Sequence, residues 1–157
     1  MIIDYYSKTI NIKIVYFGPA LSGKTTSIKA LFSHFGKSDE LKSIESTINR
    51  TLFFDYGTIT FQNQDWGLKT HIYTTTGQDF YLVTRAITLR AVDGVVFVID
   101  SYEDVYDRNL ISWNELVTYF NESIFLILMV RVPEINIVII LTNSNDINQL
   151  INKRFTI

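Results

Sequence analysis

A glycine-rich segment carries the clearest chemical signal in the sequence. Residues 18–25 are Gly-Pro-Ala-Leu-Ser-Gly-Lys-Thr and match the pattern G-x-x-x-x-G-K-[ST] in full. In such a loop the glycines let the backbone turn its N–H groups toward phosphate oxygens. Lys24 would reach the β- and γ-phosphates of a nucleotide, and the Thr25 hydroxyl would ligate Mg²⁺. The candidate nucleotide-binding residues here are Gly18, Ala20, Leu21, Ser22, Gly23, Lys24, Thr25 and Thr26.

The glycine-rich segment directly follows the first of several predicted strands. Three continuous apolar runs, at residues 12–17, 95–99 and 135–141, are typical of buried parallel strands. Residues 51–61 and 66–74 are rich in Thr, Phe, Tyr and Ile and flank a polar turn. That arrangement predicts a hairpin, which would add an antiparallel edge strand to the sheet.

Predicted helices lie between these strands. Helical spacing of apolar residues favours helices at residues 24–35, 80–91 and 104 to about 130. The second helix is expected to bury a face formed by Leu82, Val83, Ala86, Ile87 and Leu89. The alternation of strand and helix predicts an α/β fold with a mostly parallel central sheet and one antiparallel edge strand. We expect a single domain over residues 1–157.

The composition excludes several classes of protein. Hydrophobic residues make up 47% of the 157 residues and charged residues 19%, which excludes intrinsic disorder. The absence of cysteine excludes a disulfide scaffold, a zinc ribbon and thiol catalysis, and it suits the reducing cytoplasm where we expect the protein. The net charge of -2 argues against a nucleic-acid partner. The sequence predicts no signal peptide, membrane span or lipid anchor.

The end of the predicted hairpin carries a family resemblance. Residues 73–80, Tyr-Thr-Thr-Thr-Gly-Gln-Asp-Phe, resemble the D-x-x-G-Q switch II of Ras-like small GTPases, with Gly77 and Gln78 in their places. Thr74 stands where the aspartate would be, which is a feature of the MglA-type prokaryotic and archaeal subgroup. Three further segments resemble the same subgroup: residues 3–19, 49–55 and 91–101. The resemblance covers about residues 3–120 and implies a Ras-like P-loop NTPase domain that binds GTP or GDP with Mg²⁺.

The resemblance also implies roles for individual residues. Thr51 would be the switch I threonine that ligates Mg²⁺ when the γ-phosphate is present. Arg50 would be an arginine finger supplied by the same chain, and Gln78 would orient the attacking water. Asp55 is expected to compensate for the missing aspartate at position 74 by holding a metal-bound water. The candidate catalytic residues are thus Gln78, Arg50 and Lys24, and the candidate metal residues are Thr25, Thr51 and Asp55.

A polar segment resembles the base-recognition motif N-K-x-D of the same family. Residues 143–146 are Asn-Ser-Asn-Asp, so Asn143 and Asp146 keep their places. An aspartate there accepts two hydrogen bonds from guanine that adenine cannot offer, which predicts a preference for guanine. Ser144 replaces the lysine whose stem packs on the purine, which predicts weakened base binding.

Other departures from the family pattern bear on activity and assembly. Ala20 occupies a position that is usually glycine, and a side chain there crowds the glutamine and slows hydrolysis in Ras relatives. No counterpart of the S-A-K loop or the closing C-terminal helix precedes Ile157, so we expect that helix to be missing. An apolar face left uncovered by its loss would favour a homo-oligomer. Family members work with small roadblock-type activators, which makes such a protein an expected partner.

Three functions remain open from the sequence. The first is a GTP-driven switch that hydrolyses GTP slowly. The second is a guanine-nucleotide-binding scaffold with little or no hydrolysis, which Ala20 and Ser144 favour. The third is an ATP-using enzyme in which Asp100, at the end of an apolar strand, serves as a Walker B acid; a turn or helix-capping role for Asp100 is the simpler interpretation.

Overall fold

A computed structural model of the chain describes residues 1–45, 51–76, 82–100, 102–119, 127–132 and 136–140. Its strands are β1 (Ile2–Asp4), β2 (Thr9–Phe17), β3 (Lys42–Glu45), β4 (Thr51–Gln62), β5 (Gly67–Thr74), β6 (Gly94–Asp100), β7 (Ile127–Val132) and β8 (Asn136–Ile140). Its helices are α1 (Lys24–His34), α2 (Leu82–Leu89) and α3 (Tyr106–Tyr119), with 3₁₀ turns at Ser38–Glu40 and Glu103–Val105. Within these residues no helix is long and apolar enough to cross a membrane.

The described strands form one sheet with a parallel centre. Its order is β3-β4-β5-β2-β6-β7-β8, and β1 pairs antiparallel with the first residues of β2. The strands β5, β2, β6 and β7 run parallel to one another. The predicted α/β class with a parallel central sheet is therefore confirmed. Antiparallel pairing extends beyond the one expected edge strand, because β3 pairs with β4 and β8 with β7 in that sense.

The predicted helix from residue 104 to about residue 130 is wrong in its second half. Helix α3 ends at Tyr119, and residues 127–132 form the strand β7. In β7, Ile127 pairs with Val95 and Val130 with Val98 of the buried strand β6. A continuous apolar run is typical of a buried strand and of a buried helix end alike, so periodicity alone does not distinguish the two.

The last predicted strand is present but runs in the other direction. Residues 136–140 form β8, which pairs antiparallel with β7 through Asn136 opposite Arg131 and Ile140 opposite Ile127. The short connection between the two strands leaves no room for the crossover that parallel pairing requires. The expectation of a missing C-terminal helix concerns residues 141–157, which lie outside the described residues.

Two apolar clusters pack on the opposite faces of the sheet. One joins strands β2 and β6 to helices α2 and α3 and consists of Val15, Phe17, Leu89, Val95, Phe97, Trp113 and Leu116. The other joins α1 to strands β4 and β5 and consists of Ile28, Phe32, Ile59 and Ile72. With helices on both faces, the carboxyl ends of the parallel strands form the edge at which α/β proteins bind ligands.

The buried face of α2 differs from the expected one. Val83 and Ile87 are 73% and 55% exposed, whereas Arg85 and Thr88 are buried beside Leu89. A buried arginine is tolerated only where its charge and N–H groups find partners. Here the Thr76 carbonyl and the Glu115 carboxylate serve as those partners, which explains why the helix turns Arg85 inward.

Gly57 marks a close approach between β4 and α1. A Cβ at this position would lie 2.4 Å from Cζ and 2.5 Å from Cε1 of the Phe32 ring. Phe32 is fully buried, so its ring has no solvent-facing space into which it could move. Gly57 therefore lets the helix pack directly against the strand that carries Asp55.

We expect Gly57→Ala to lower the free energy of unfolding by about 1–3 kcal/mol, because the added methyl group overpacks the buried cluster. Urea unfolding measures this change. Gly67→Ala is the matched control in the neighbouring strand, since a Cβ there would meet its nearest atom, Oγ1 of Thr9, at 3.6 Å. Equal effects of the two substitutions would contradict the packing account.

Candidate functional site

The glycine-rich loop connects the end of β2 to the start of α1. Gly18, Leu21 and Gly23 have φ angles of 148°, 66° and 91°. A Cβ at Gly18 would lie 2.1 Å from the carbonyl oxygen of Val98 in β6, so only glycine lets the loop pass this close. Leu21 takes a left-handed conformation despite its side chain, and such strain is commonly stored at ligand sites. The predicted strand–loop–helix arrangement is confirmed.

Lys24 is folded inward over the loop and is only 6% exposed. Its Nζ donates hydrogen bonds to the carbonyl oxygens of Gly18, at 2.9 Å, and Pro19, at 2.6 Å. The pKa of Lys24 is lowered to about 7: burial is the largest cause, the positive charge of Arg85 adds to it, and the negative charge of Asp55 opposes both. The amine is therefore held among backbone oxygens of the loop, where a phosphate would be a better partner for its charged form.

The Asp55 carboxylate connects the loop to the hairpin strands and is fully buried. Its Oδ2 accepts hydrogen bonds from the hydroxyl of Thr25, at 2.7 Å, and from the hydroxyl of Thr74, at 2.8 Å. The Asp55 N–H donates in turn to Thr74 Oγ1 at 2.8 Å. Thr74, which stands where Ras-like GTPases have an aspartate, thus bonds directly to the Asp55 carboxylate on the neighbouring strand. The same carboxylate contacts the Thr25 hydroxyl at the start of α1.

Ser22 contributes a buried hydroxyl to the loop. The residue is 4% exposed, and its Oγ has no hydrogen-bond partner within the described part of the chain. A buried hydroxyl without a partner costs free energy, so this group suits a ligand that carries hydrogen-bond acceptors. A phosphate oxygen at the loop is such an acceptor.

Thr74, which ends β5, and the two residues after it are held by three different elements. Thr74 bonds to Asp55 of β4, and the Thr75 N–H donates to the Tyr16 carbonyl of β2 at 2.9 Å. The Thr76 carbonyl accepts a hydrogen bond of 2.9 Å from Nε of Arg85 in α2. The strand therefore reaches the site in a fixed position.

Other predicted site residues are only partly described. Ala20 lies in the loop, and its carbonyl oxygen accepts a hydrogen bond of 3.1 Å from Nη2 of Arg108 in α3. Thr26 is exposed in the first turn of α1, and Thr51 begins β4, where only its backbone is described. The remaining predicted site residues lie outside the described residues: Arg50, Gly77, Gln78, Asn143 and Asp146.

Asp100, the candidate Walker B acid, has contacts that differ from those of Asp55. Its Oδ1 accepts the Tyr102 N–H at 3.2 Å, and its Oδ2 lies 4.0 Å from Nη2 of Arg108. Its backbone exchanges two hydrogen bonds with the side chain of Asn109. The carboxylate on the Thr25 hydroxyl is that of Asp55, so the geometry favours a turn role for Asp100.

Sequence reasoning missed Arg85, Glu115 and Arg108. Arg85 and Glu115 form an ion pair between α2 and α3, and Arg108 holds the loop through Ala20. One signal was available, because Arg85 is the single charged residue in the segment Leu-Val-Thr-Arg-Ala-Ile-Thr-Leu of α2. Glu115 and Arg108 lie in a helix with many polar residues and are not distinguished by pattern.

The chain is similar to a curated bacterial protein. It is 41% identical over 118 residues to the mutual gliding-motility protein MglA of Myxococcus xanthus (strain DK1622). The match covers 73% of this chain and 60% of that protein, so the chain spans about three-fifths of its relative's length. No family model matches the chain.

The chain belongs to the MglA-type subgroup of the Ras-like small GTPases.

Proposed function

We propose that this chain is a molecular switch that binds GTP and GDP together with Mg²⁺ and slowly hydrolyses GTP to GDP. The observation that carries the proposal is the contact between the Thr25 hydroxyl, at the end of a phosphate loop, and the buried Asp55 carboxylate. The family to which the chain belongs supports the same conclusion. Its output would be a binding event, since switch segments order around the γ-phosphate and relax after hydrolysis.

The loop offers several groups to the phosphates of a nucleotide. Backbone N–H groups of the loop, other than at Pro19, and the N-terminus of α1 supply positive partial charge. The buried Ser22 hydroxyl and the Lys24 ammonium supply further donors. Bound phosphate would take Lys24 away from the Gly18 and Pro19 carbonyls, because a charge-assisted bond to phosphate is stronger than a bond to a neutral carbonyl.

The residues beside the loop also fit Mg²⁺, which prefers hard oxygen ligands. Thr25 and Asp55 bring a hydroxyl and a carboxylate together at 2.7 Å, and Thr51 would add a second hydroxyl from the start of β4. When bound, the ion neutralises charge that develops on the phosphates. The part played by Asp55 is to hold the Thr25 hydroxyl and a metal-bound water in place.

Hydrolysis would depend on two residues that lie outside the described part of the chain. Gln78 would orient the attacking water, and Arg50 would place a positive charge against the phosphoryl oxygens. Ala20 has a side chain where relatives have glycine, and Arg108 holds its carbonyl, so Gln78 would be crowded and the rate slow. Asn143 and Asp146 would select guanine. Ser144 would lower the affinity for the base, because it replaces the lysine whose stem packs on the purine.

We also propose an activator protein, self-association and a cytoplasmic location for this chain. A small roadblock-type protein would act as the activator, and a second copy of the chain would pair through the C-terminal region. No nucleic-acid partner is proposed, because the net charge is -2. The cysteine-free sequence suits the cytoplasm.

One alternative function has support of its own. The Ala20 side chain and Ser144 both weaken steps of the cycle, which favours a scaffold that binds guanine nucleotide without hydrolysing it. The ATP-using enzyme has less support, since the Asp100 carboxylate accepts a turn N–H rather than the Thr25 hydroxyl.

Phosphate release tests the proposed function. With Mg²⁺, we expect repeated turnover of GTP and no turnover of ATP. Arg50→Ala is expected to lower single-turnover hydrolysis at least about tenfold while GDP affinity changes little, because a fully placed arginine finger contributes roughly 10³–10⁵ in rate. Tight GTP binding without phosphate release would favour the scaffold instead, and turnover of ATP would favour the ATP-using enzyme.

Nucleotide affinity should depend on pH through Lys24. In the free protein Lys24 loses its proton as the pH rises through about 7, whereas bound phosphates keep it charged. Binding therefore takes up a proton above pH 7, and GDP affinity should fall by up to about tenfold per pH unit there, while this group adds no pH dependence well below pH 7. Titration calorimetry between pH 6 and 8.5 measures the effect.

Two variants serve as controls for the pH experiment. Lys24→Arg keeps its charge throughout this range, so its affinity should lose the dependence. Lys29→Arg changes an exposed lysine of the same helix and should keep the wild-type profile. A flat wild-type profile above pH 7, or an unchanged profile in Lys24→Arg, would contradict the assignment.

A further inference from the structure

Arg85 is a buried cation that has no role in the nucleotide cycle proposed above. The residue is 4% exposed, and its Nε donates to the Thr76 carbonyl at 2.9 Å. Its Nη1 forms an ion pair with Oε2 of Glu115 in α3. The other carboxylate oxygen of Glu115 accepts the hydroxyl of Tyr119 at 3.0 Å. Arg85 is thus anchored at two points, on a backbone oxygen and on a neighbouring helix.

Stability alone does not account for this pair. Removing a guanidinium and a carboxylate from water is costly, and well-packed hydrophobic residues of similar volume often replace such a pair without loss of stability. A buried ion pair is therefore weak evidence for a stabilising role. What Arg85 fixes is the carbonyl of Thr76.

The position of Thr76 matters because it is the last described residue between the hairpin and Gln78. Thr74 is held by Asp55, Thr75 by Tyr16, and Thr76 by Arg85. Gln78 follows Thr76 by two residues in the sequence. The bond from Arg85 also joins α2 to the residues that follow β5.

The charge of Arg85 acts on the phosphate loop as well. After burial, it is the second cause that lowers the pKa of Lys24, which means that the guanidinium lies within electrostatic reach of the lysine amine. Glu115 partly balances this charge as the ion-pair partner of Arg85.

We propose that Arg85 is a positioning residue for GTP hydrolysis: held by Glu115, it fixes the Thr76 carbonyl and so the point from which the chain continues to Gln78. This inference rests on the proposed GTPase function. It assigns Arg85 no contact with the nucleotide. A shift of about 1 Å in a positioned group can lower a rate by as much as a hundredfold, so loss of this anchor should affect the chemical step more than binding.

The test compares single-turnover GTP hydrolysis and GDP affinity in full-length variants. Arg85→Lys keeps the charge but lacks the planar group that reaches two partners at once. We expect its hydrolysis to fall about tenfold or more, with GDP affinity within about twofold of wild type. Glu115→Gln, which preserves side-chain shape, should show the same split. Arg90→Lys, the same substitution at an exposed arginine just after α2, should match wild type.

A double-mutant cycle separates positioning of Gln78 from a general structural role. If Arg85 acts through Gln78, then Arg85→Lys should cause little further loss in a Gln78→Ala protein. An equal loss in both backgrounds, no loss in either, or a parallel fall in GDP affinity would overturn the inference alone. A wild-type protein that binds GTP but releases no phosphate would overturn the proposed hydrolysis and this inference together. If Arg85→Lys does not fold, Glu115→Gln carries the same cycle.

Discussion

The structure of the site depends on one buried carboxylate. Asp55 is fully buried, and a charge in that position requires hydrogen-bond donors, since an unpaired one would cost several kcal/mol. Thr25 and Thr74 provide those donors from α1 and β5. This requirement fixes the register of β4 against β5 and holds both strands against the start of α1. In the proposed switch, the same carboxylate takes over the task of the aspartate that other Ras-like GTPases have in place of Thr74.

The rest of the site follows from close backbone approaches around that carboxylate. Gly18 lets the loop contact the Val98 carbonyl, and Gly57 lets the Phe32 ring of α1 lie on β4. Lys24 is also little exposed to water, and burial is the largest cause of its lowered pKa. A buried lysine with a lowered pKa gains most from a ligand that brings negative charge.

Much of this arrangement could be predicted from the sequence, and the failures have physical causes. The loop was predictable because strand, glycines and helix start occur in one short segment. The resemblance indicated Asp55 as a compensating residue, and the structure brings its carboxylate to Thr25 and Thr74. Strand β7 was missed because a continuous apolar run does not by itself distinguish a helix from a strand. Arg85 was missed because its partners, Thr76 and Glu115, are distant in sequence and meet only through tertiary packing.

The role proposed for the Asp55 carboxylate is to stand in for the aspartate that Thr74 replaces. Its most direct test is the Mg²⁺ concentration needed to retain GDP, measured in wild type, in Asp55→Asn, and in Asp55→Asn combined with Thr74→Asp. We expect Asp55→Asn to raise this concentration at least about tenfold, because a charged partner is lost, and we expect the second substitution to restore most of the affinity by returning a carboxylate to the same place. An Asp55→Asn protein with wild-type Mg²⁺ dependence would contradict this role.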